Sequence, residues 1–493
     1  MLLKRGDTWT ENLPDWRKSG RSQIERMIIG AYGSLSDERP KLGAFTSNGG
    51  FDFLIASDLE LSDSWRSVNF EGAFNHVLIE GCLVPPGPAH GMIIQNPGEV
   101  TGIDFFALRR NVIVGRYRPS GSTGFVQGIY IDAAINLLIE ENIFDNNGKD
   151  EFGAYNGAQD LRCHNTYVML GRGNGENHIW RYNISSRACS HGFQAGSGGL
   201  IEANLSVENP IGIAASRTDT WNDDGFPALI TKNVILHGND ISPSDLRGWG
   251  ILIENSYNSI VEDNIIGDNV DSGYPFGILV QANIRSGVQM YVRDLAINNN
   301  IIHNWNGNNT IDGKAMTFVQ DAYSSGTVYS HGSTPDDFIR DVELTNNIVH
   351  TTNSELRLMN LNRSNLVTLS ENNTFYGTRT SDQLFRVGGA NYNFNNFLNL
   401  ISDTTSNFNT TSPNNSYGIT DYLSGIGEES TFSSFYSHIR QQRKGFWDGR
   451  YTAVPIINFV RNAFGRNPVE YNYDISGISG TQYYKPFNIR VKN

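Results

Sequence analysis

Cysteine is nearly absent. Cys82, Cys163 and Cys189 are the only three in 493 residues. An odd and sparse count excludes a scaffold stapled by disulfides. Cys163 and Cys189 fall in successive copies of the repeat described below and read as small core residues. Long apolar runs are missing as well: none approaches the ~18 residues of a membrane span. Basic residues are the minority, 38 Lys and Arg against 51 Asp and Glu, which leaves a net charge of -13. That balance argues against a general nucleic-acid binder, which carries a basic stripe. It leaves an acidic polymer open, because a local basic cleft can form on an acidic body. The opening residues, Met1 to Trp9, hold too short an apolar run for a signal peptide. They read as mid-strand and turn, so residues upstream are expected to be missing.

What the chain has in quantity is glycine, 51 residues, and a recurring phrase. The phrase is an apolar residue, two variable residues, an Asn and another apolar residue. Its copies place Asn at 111, 142, 183, 204, 233, 264, 300 and 347, with Cys82 in the slot before them and Asn372 in a fainter last copy. The spacing varies, from 21 residues between Asn183 and Asn204 to 47 between Asn300 and Asn347. A helical solenoid keeps a fixed period of amphipathic helices. A constant phrase with variable spacers fits the coils of a parallel β-helix, with same-slot residues stacked ~4.8 Å apart. A stacked Asn can bond its neighbours in a ladder, and its tolerance of the left-handed conformation suits a tight corner.

A second phrase, Gly-apolar-x-apolar, precedes most copies. It runs Gly128 to Ile131, Gly192 to Ala195, Gly212 to Ala215, Gly250 to Ile253 and Gly277 to Val280, with Asn165 replacing Gly before Thr166, Tyr167 and Val168. Alternation along a strand puts Ile129 and Ile131 inside and Tyr130 and Asp132 outside. From about residue 376 the pattern fades. Residues 431–443 and 453–464 read as helices that cap or flank the solenoid. The expected division is an N-terminal lead-in and cap over 1–50, the β-helix over 51–400 in about ten coils, and a C-terminal segment with two short helices over 401–493.

These phrases together resemble the right-handed parallel β-helix proteins of the pectate-lyase superfamily, over roughly residues 50–400. The resemblance implies an all-β fold and one of several activities: polysaccharide lyase, glycoside hydrolase, uronan epimerase or phage tailspike. It also implies an extracellular or virion-associated setting and a polysaccharide partner. Paired Asp residues followed by Gly-His-Gly, the Asp-Pro-His motif and the Gly-Gly-x-Gly-x-Asp calcium repeat are all missing, so the reaction stays open.

The richest stretch for chemistry is Gly128 to Arg217. Strand alternation lines up Tyr130, Tyr167 and Gln194 in one outward row and Asp132 and Glu254 in the next. His164 and His191 stand in adjacent coils just before the glycine slot. Lys149, Asp150, Glu151 and Tyr155 lie in one long loop, and Arg217, Asp219, Trp221, Asp223 and Asp224 in another. For β-elimination on a uronate, Arg187 or Arg217 would pair the carboxylate. His164 or His191 would take the proton, and Tyr167 would protonate the leaving oxygen. A hydrolase would instead use Asp150 or Glu151 with Asp219 or Asp223. Tyr130, Asp132, Gln194, Lys149, Tyr155, Trp221 and Glu254 are the expected sugar contacts, since flat aromatic faces suit pyranose rings. No cofactor is expected; calcium at Asp219, Asp223 and Asp224 is the one metal these residue types allow. Ordinary roles compete throughout: a His bonding a turn, a Tyr covering a sheet, an Arg in a surface ion pair, loop carboxylates in solvent. A non-catalytic glycan-binding or tail protein is the reading from a different class.

Overall fold

The computed structural model describes residues 1–471, except 14, 64, 100–101, 120–123, 151–160, 170–176, 216–225, 270, 283, 286–287, 290, 309–312, 320–322, 325–326, 329–337 and 411–414. Its body is a parallel β-helix of three sheets with thirteen strands each. One coil runs from Gln127–Ile131 to Asn136–Glu140 to Ile143–Asp145, and the next from His164–Val168 to Asn177–Arg181 to Ile184–Ser186. We call these three positions the groove sheet, the ladder sheet and the clasp sheet. Strands pair in parallel between successive coils, for example Tyr130 with Tyr167 and Tyr167 with Gln194.

Each sheet has thirteen strands, against about ten coils expected, because coils without an Asn phrase extend the body and a hairpin, Phe385–Val387 with Ala390–Tyr392, ends the groove sheet. Leu2–Lys4, Met27–Tyr32, Lys41–Leu42 and Phe45–Asn48 already belong to the sheets. The next coil, Phe51–Ser57 to Glu60–Leu61, turns at Asp58 and Leu59, a corner that carries no Asn.

The Asn phrase forms a continuous ladder. Each Asn receives, on its side-chain oxygen, both the backbone N–H and the Nδ2 of the Asn one coil before it. Asn183 donates to Asn204 at 3.0 and 2.9 Å, and Asn204 to Asn233 at 2.9 and 3.0 Å. The ladder starts at the Cys82 N–H, bonded to Asn111 at 3.0 Å, and ends on Asn373 rather than Asn372. The frame shifts by one because a bulge at Val342/Glu343 interrupts the preceding strand pairing. The left-handed residue at the corner is also not the ladder Asn. It is the residue before it: Arg110, Glu141, Tyr182, Ala203, Lys232, Asp263, Asn299, Asn346 and Asn372 all have φ between 50° and 60°. The Asn side chain compensates the corner's backbone groups, and its neighbour turns the chain.

From Ser57/Glu60 through Glu371/Thr374 the connection between the ladder and clasp sheets is two residues; in the coil before, it spans 33–40. The other two connections vary. Clasp to groove spans 208–210 in one coil and 146–163 in another, and groove to ladder spans 196–198 or 320–338. All the variation in phrase spacing comes from these two.

The glycine slot has a steric cause. A Cβ on Gly128 would stand 2.5 Å from the Asn165 carbonyl oxygen of the next coil, and one on Gly250 equally close to that of Gly277. Inside the coils, Phe45, Phe51, Phe70 and Phe74 pack edge to face at the N-terminal end. Trp180 and Phe193 fill the middle. At the C-terminal end a helix, α1 (Phe394–Leu400), closes the core by stacking Phe397 on Phe385 at 4.2 Å.

The C-terminal segment forms three further helices, α2 (Ile419–Gly425), α3 (Phe432–Arg440) and α4 (Ala453–Ala463). They lie along the flank and do not cap the end. Phe435, Ile439, Ile456, Ile457 and Val460 bury the outward row of the clasp sheet, Val112, Ile143, Ile184, Leu205, Val234, Ile265 and Ile301. Arginine contacts fasten this clasp at both ends: Arg39 donates to the Gln442 carbonyl at 3.0 Å, and Arg461 pairs with Asp263 at 2.8 Å.

Candidate functional site

The outward side of the groove sheet carries two parallel rows. Nearer the strand starts are Arg66, His90, Gln127, His164, His191, Ile211, Trp249 and Phe276, one per coil; beside them run Asn69, Ile93, Tyr130, Tyr167, Gln194, Ala214 and Leu252. Ile129 and Ile131 face the core and are fully buried, and Tyr130 and Tyr167 face out.

His164 and His191 touch. Their Nδ1 atoms are 3.0 Å apart, and the His191 backbone N–H also donates to His164 Nδ1 at 3.4 Å. A nitrogen that accepts a backbone N–H carries no proton. His164 is therefore the neutral Nε2–H tautomer, and His191 supplies the proton between the rings from its Nδ1. Ser190 Oγ lies 2.9 Å from the same His191 Nδ1. With that tautomer Nε2 is the basic nitrogen of His191, and the atom is buried. The Tyr167 ring packs edge-on to His164 at 5.3 Å, and Tyr130 edge-on to Tyr167 at 5.5 Å. Both histidines are buried.

A groove of about 460 Å³ opens beside this set, toward the N-terminal coils. Trp65, Arg66, His90, Phe125, Tyr130 and Tyr167 line it. Trp65 is 67% exposed and Phe125 is 39% exposed, with the Arg162 guanidinium 5.2 Å from the Phe125 ring. Arg66 is held by Asn69 at 2.7 Å and Glu71 at 3.2 Å. His90 accepts the Gln127 N–H at 3.2 Å. Burial, then the charges of Arg66 and Arg116, push its imidazole down to about 4, so it is neutral at pH 7. Tyr167 belongs both to the groove wall and to the cluster around the histidine pair.

The sequence had a signal for this groove. Gly91-Met-Ile-Ile94 matches the second phrase, with His90 in the slot that His164 and His191 occupy two and three coils later. Trp65 and Phe125 lie outside any phrase and give no such signal.

Other expected site residues are placed elsewhere. Asp132 faces outward beside Tyr130, its Oδ2 3.4 Å from the Tyr130 hydroxyl. Gln194 continues the Tyr167 row and is buried. Glu254 is buried two rungs past His191, roughly 10 Å along the sheet. It is not brought to the histidine pair.

Arg187 is a correction. It occupies the left-handed corner position after the clasp strand, at φ 51°, and faces the C-terminal helices. There it grips Asp145 with Nε at 2.9 Å and Nη2 at 2.6 Å, under the Tyr436 ring at 3.5 Å. Burial works against its charge, but Asp145 outweighs that and raises the guanidinium above its usual value. An arginine so committed on the clasp side cannot pair a substrate carboxylate on the groove side. Lys149 and Asp150 sit at the neighbouring corner. The Lys149 carbonyl accepts the Arg118 N–H at 2.8 Å, and the Asp150 backbone lies in parallel register with that of Arg118. Burial holds the Lys149 ammonium below its usual value, in the field of Cys189, Arg187 and Asp145. Lys149 thus belongs with the clasp-side charges rather than with the groove.

Glu151, Tyr155, Arg217, Asp219, Trp221, Asp223 and Asp224 lie outside the described residues. Among the described residues, no group of three or more His, Cys, Asp and Glu side chains is arranged to hold a metal. Nor is any described helix long and apolar enough to cross a membrane.

No protein-family model matches the sequence, and no curated protein does. Solved structures do. A periplasmic alginate epimerase aligns at 12% identity over 70% of this chain and 74% of its own, with a TM-score of 0.36. A mannuronic-acid-specific family 6 polysaccharide lyase from human gut microbiota aligns at 13% identity, over 77% and 81%, with a TM-score of 0.37. The catalytic domain of a GH87 α-1,3-glucanase aligns at 12% identity, over 76% and 64%, with a TM-score of 0.28.

Proposed function

We propose that this protein is a carbohydrate-active enzyme that cleaves an acidic, uronate-containing polysaccharide by β-elimination where the groove meets the histidine pair. The observation that carries this reading is Tyr167, which lines the groove and packs on His164, whose partner His191 is oriented as a base. The aromatic walls stack sugar rings, and Arg66 binds a uronate carboxylate within the groove.

In the reaction His191 Nε2 removes the proton on the carbon next to the carboxyl group. That electron pair forms a carbon–carbon double bond, the bond to the glycosidic oxygen breaks, and the Tyr167 hydroxyl protonates the departing oxygen. Pairing of the reacting carboxylate falls to Arg217, the candidate left once Arg187 is committed to Asp145. Calcium at Asp219, Asp223 and Asp224 is a further proposal, tested by loss of turnover in chelator and its return with calcium. The substrate is met outside the cell or at a virion surface.

The test is incubation with a panel of acidic polysaccharides while following ultraviolet absorbance of unsaturated ends and total reducing ends. Both signals rising together is the expected result. Reducing ends without absorbance would sink elimination and support a hydrolase that uses loop carboxylates. Neither signal across the panel would favour a glycan-binding or tail protein.

A further inference from the structure

Two cysteines flank the histidine pair. Cys163 is the residue before His164, and Cys189 is two before His191. Both are fully buried thiols. They meet at Gly148, where the chain leaves the clasp sheet for the groove sheet. Gly148 has φ 97°, and a Cβ built on it would stand 2.8 Å from the Cys163 Cβ and 3.0 Å from the Cys189 Cβ. Two carbons that close to one point are close to each other. The spacing a disulfide needs, ~3.5–4.5 Å between β-carbons, lies within what this arrangement allows. A side chain at 148 would stand between them, so the glycine keeps the gap open.

The surroundings suit such a bond. The Cys189 N–H donates to the Asn147 carbonyl at 3.0 Å, which fixes its backbone beside Gly148. The Cys163 sulfur accepts the Val126 N–H at 3.4 Å, a weak contact for a thiol and easily exchanged for a covalent one. Cys189 and the Lys149 ammonium lie in each other's field. A cation beside a sulfur favours the thiolate, the form that attacks disulfides. Cys82 differs on each count. It stands at the ladder-to-clasp corner with its sulfur 3.6 Å from the Glu80 carbonyl oxygen, and burial pushes its thiol up to about 11.

We propose that Cys163 and Cys189 close to a disulfide when the protein meets an oxidant of the disulfide class, such as oxidised glutathione. The Cys189 thiolate attacks one sulfur of the oxidant, whose other half leaves as a thiolate. Cys163 then gives its proton to solvent and attacks Cys189 Sγ, and the second half of the oxidant leaves. Two cysteine thiols are oxidised, and one disulfide is reduced to two thiols. The bond ties together the two segments that carry His164 and His191. It does not depend on the elimination reading, and either can fail without the other.

The experiment incubates the folded whole protein with excess oxidised glutathione in dilute urea, which lets buried thiols exchange through local opening. Remaining thiols are alkylated, and peptides are mapped by mass without reduction. The expected product is a peptide pair joined through Cys163 and Cys189, two hydrogens lighter than the separate peptides, with Cys82 alkylated. C82S should give the same pair. The oxidised protein should melt about 3 °C above the reduced form, because the cross-link restricts the unfolded chain. Recovery of Cys163 and Cys189 both alkylated, or each carrying its own glutathione, would overturn the proposal. So would a bond from either to Cys82, which would show exchange indifferent to the native spacing. A melting temperature that oxidation lowers or leaves unchanged would overturn it too, because the native spacing would then not fit the bond.

Discussion

The clasp sheet and the groove sheet share the same rungs, yet their outward faces have opposite character. On the clasp side the outward row is Val112, Ile143, Ile184, Leu205, Val234, Ile265 and Ile301, sealed under α2 to α4. On the groove side the same coils present Gln127, His164 and His191, with Tyr130, Tyr167 and Gln194 beside them. Burial alone does not separate the two faces, because His164, His191 and Gln194 are as buried as the clasp isoleucines. The difference lies in what burial requires. Apolar rows need only a cover, but a buried imidazole pair needs a defined hydrogen-bond pattern, and that pattern specifies a proton donor and an acceptor.

Four substitutions or conditions press on this contrast. The largest effect is expected at the scaffold common to both faces. Asn204→Ala removes the acceptor of Asn183 and the donor to the Trp180 carbonyl and to Asn233. It should lower stability by ~4 kcal/mol in urea unfolding, since each orphaned buried group costs ~1–3 kcal/mol. His191→Ala comes next: turnover should fall ~10²-fold or more, with circular dichroism and melting temperature close to the parent. Full activity in that variant would place the reaction elsewhere.

A third test uses a buried histidine with a purely structural role. His178 on the ladder sheet has Nε2 3.0 Å from the Ala134 carbonyl and Nδ1 2.5 Å from Ser197 Oγ. Burial brings it down to about 4. The folded value lies below the unfolded ~6.5, so its contribution is complete above pH ~6.5 and is lost as the pH falls toward 4. Unfolding experiments across that window should show up to ~3 kcal/mol of loss, and His178→Gln should flatten the slope while leaving the pH profile of turnover in place. The smallest effect is expected from Asp145→Ala. It strands Arg187 and Arg440, which bond Asp145 at 2.6 and 2.5 Å. The cost should be ~2 kcal/mol, because both arginines keep some solvent access. Turnover should stay at the parent level; a large loss would show that the clasp reaches the groove.

The fold was legible because its determinants are local and repeated. The Asn ladder and the glycine slot each have one cause, a backbone contact between neighbouring coils, so each copy carries the full signal. Legibility failed where a nonlocal or irregular feature intervened. The bulge at Val342 moved the last ladder position from Asn372 to Asn373. Arg187 stands among the site candidates in sequence, but its partners Tyr436 and, through Asp145, Arg440 are set by a helix more than two hundred residues away. The outward rows were readable from alternation, which is why Tyr130, Tyr167 and Gln194 line up as expected. The groove itself depends on Trp65 and Phe125, residues outside the strands, which no periodicity places.

The two-residue corner between the ladder and clasp sheets has a consequence for how such a molecule can change. An insertion there would break the Asn ladder, so added length is accepted only at the other two connections. Both of those border the groove sheet. Within the span of the Asn ladder, a segment gained or lost at those connections lies beside the groove sheet, and the ladder-to-clasp corner keeps its length. The corner of fixed length is the one of the three that does not border the groove sheet.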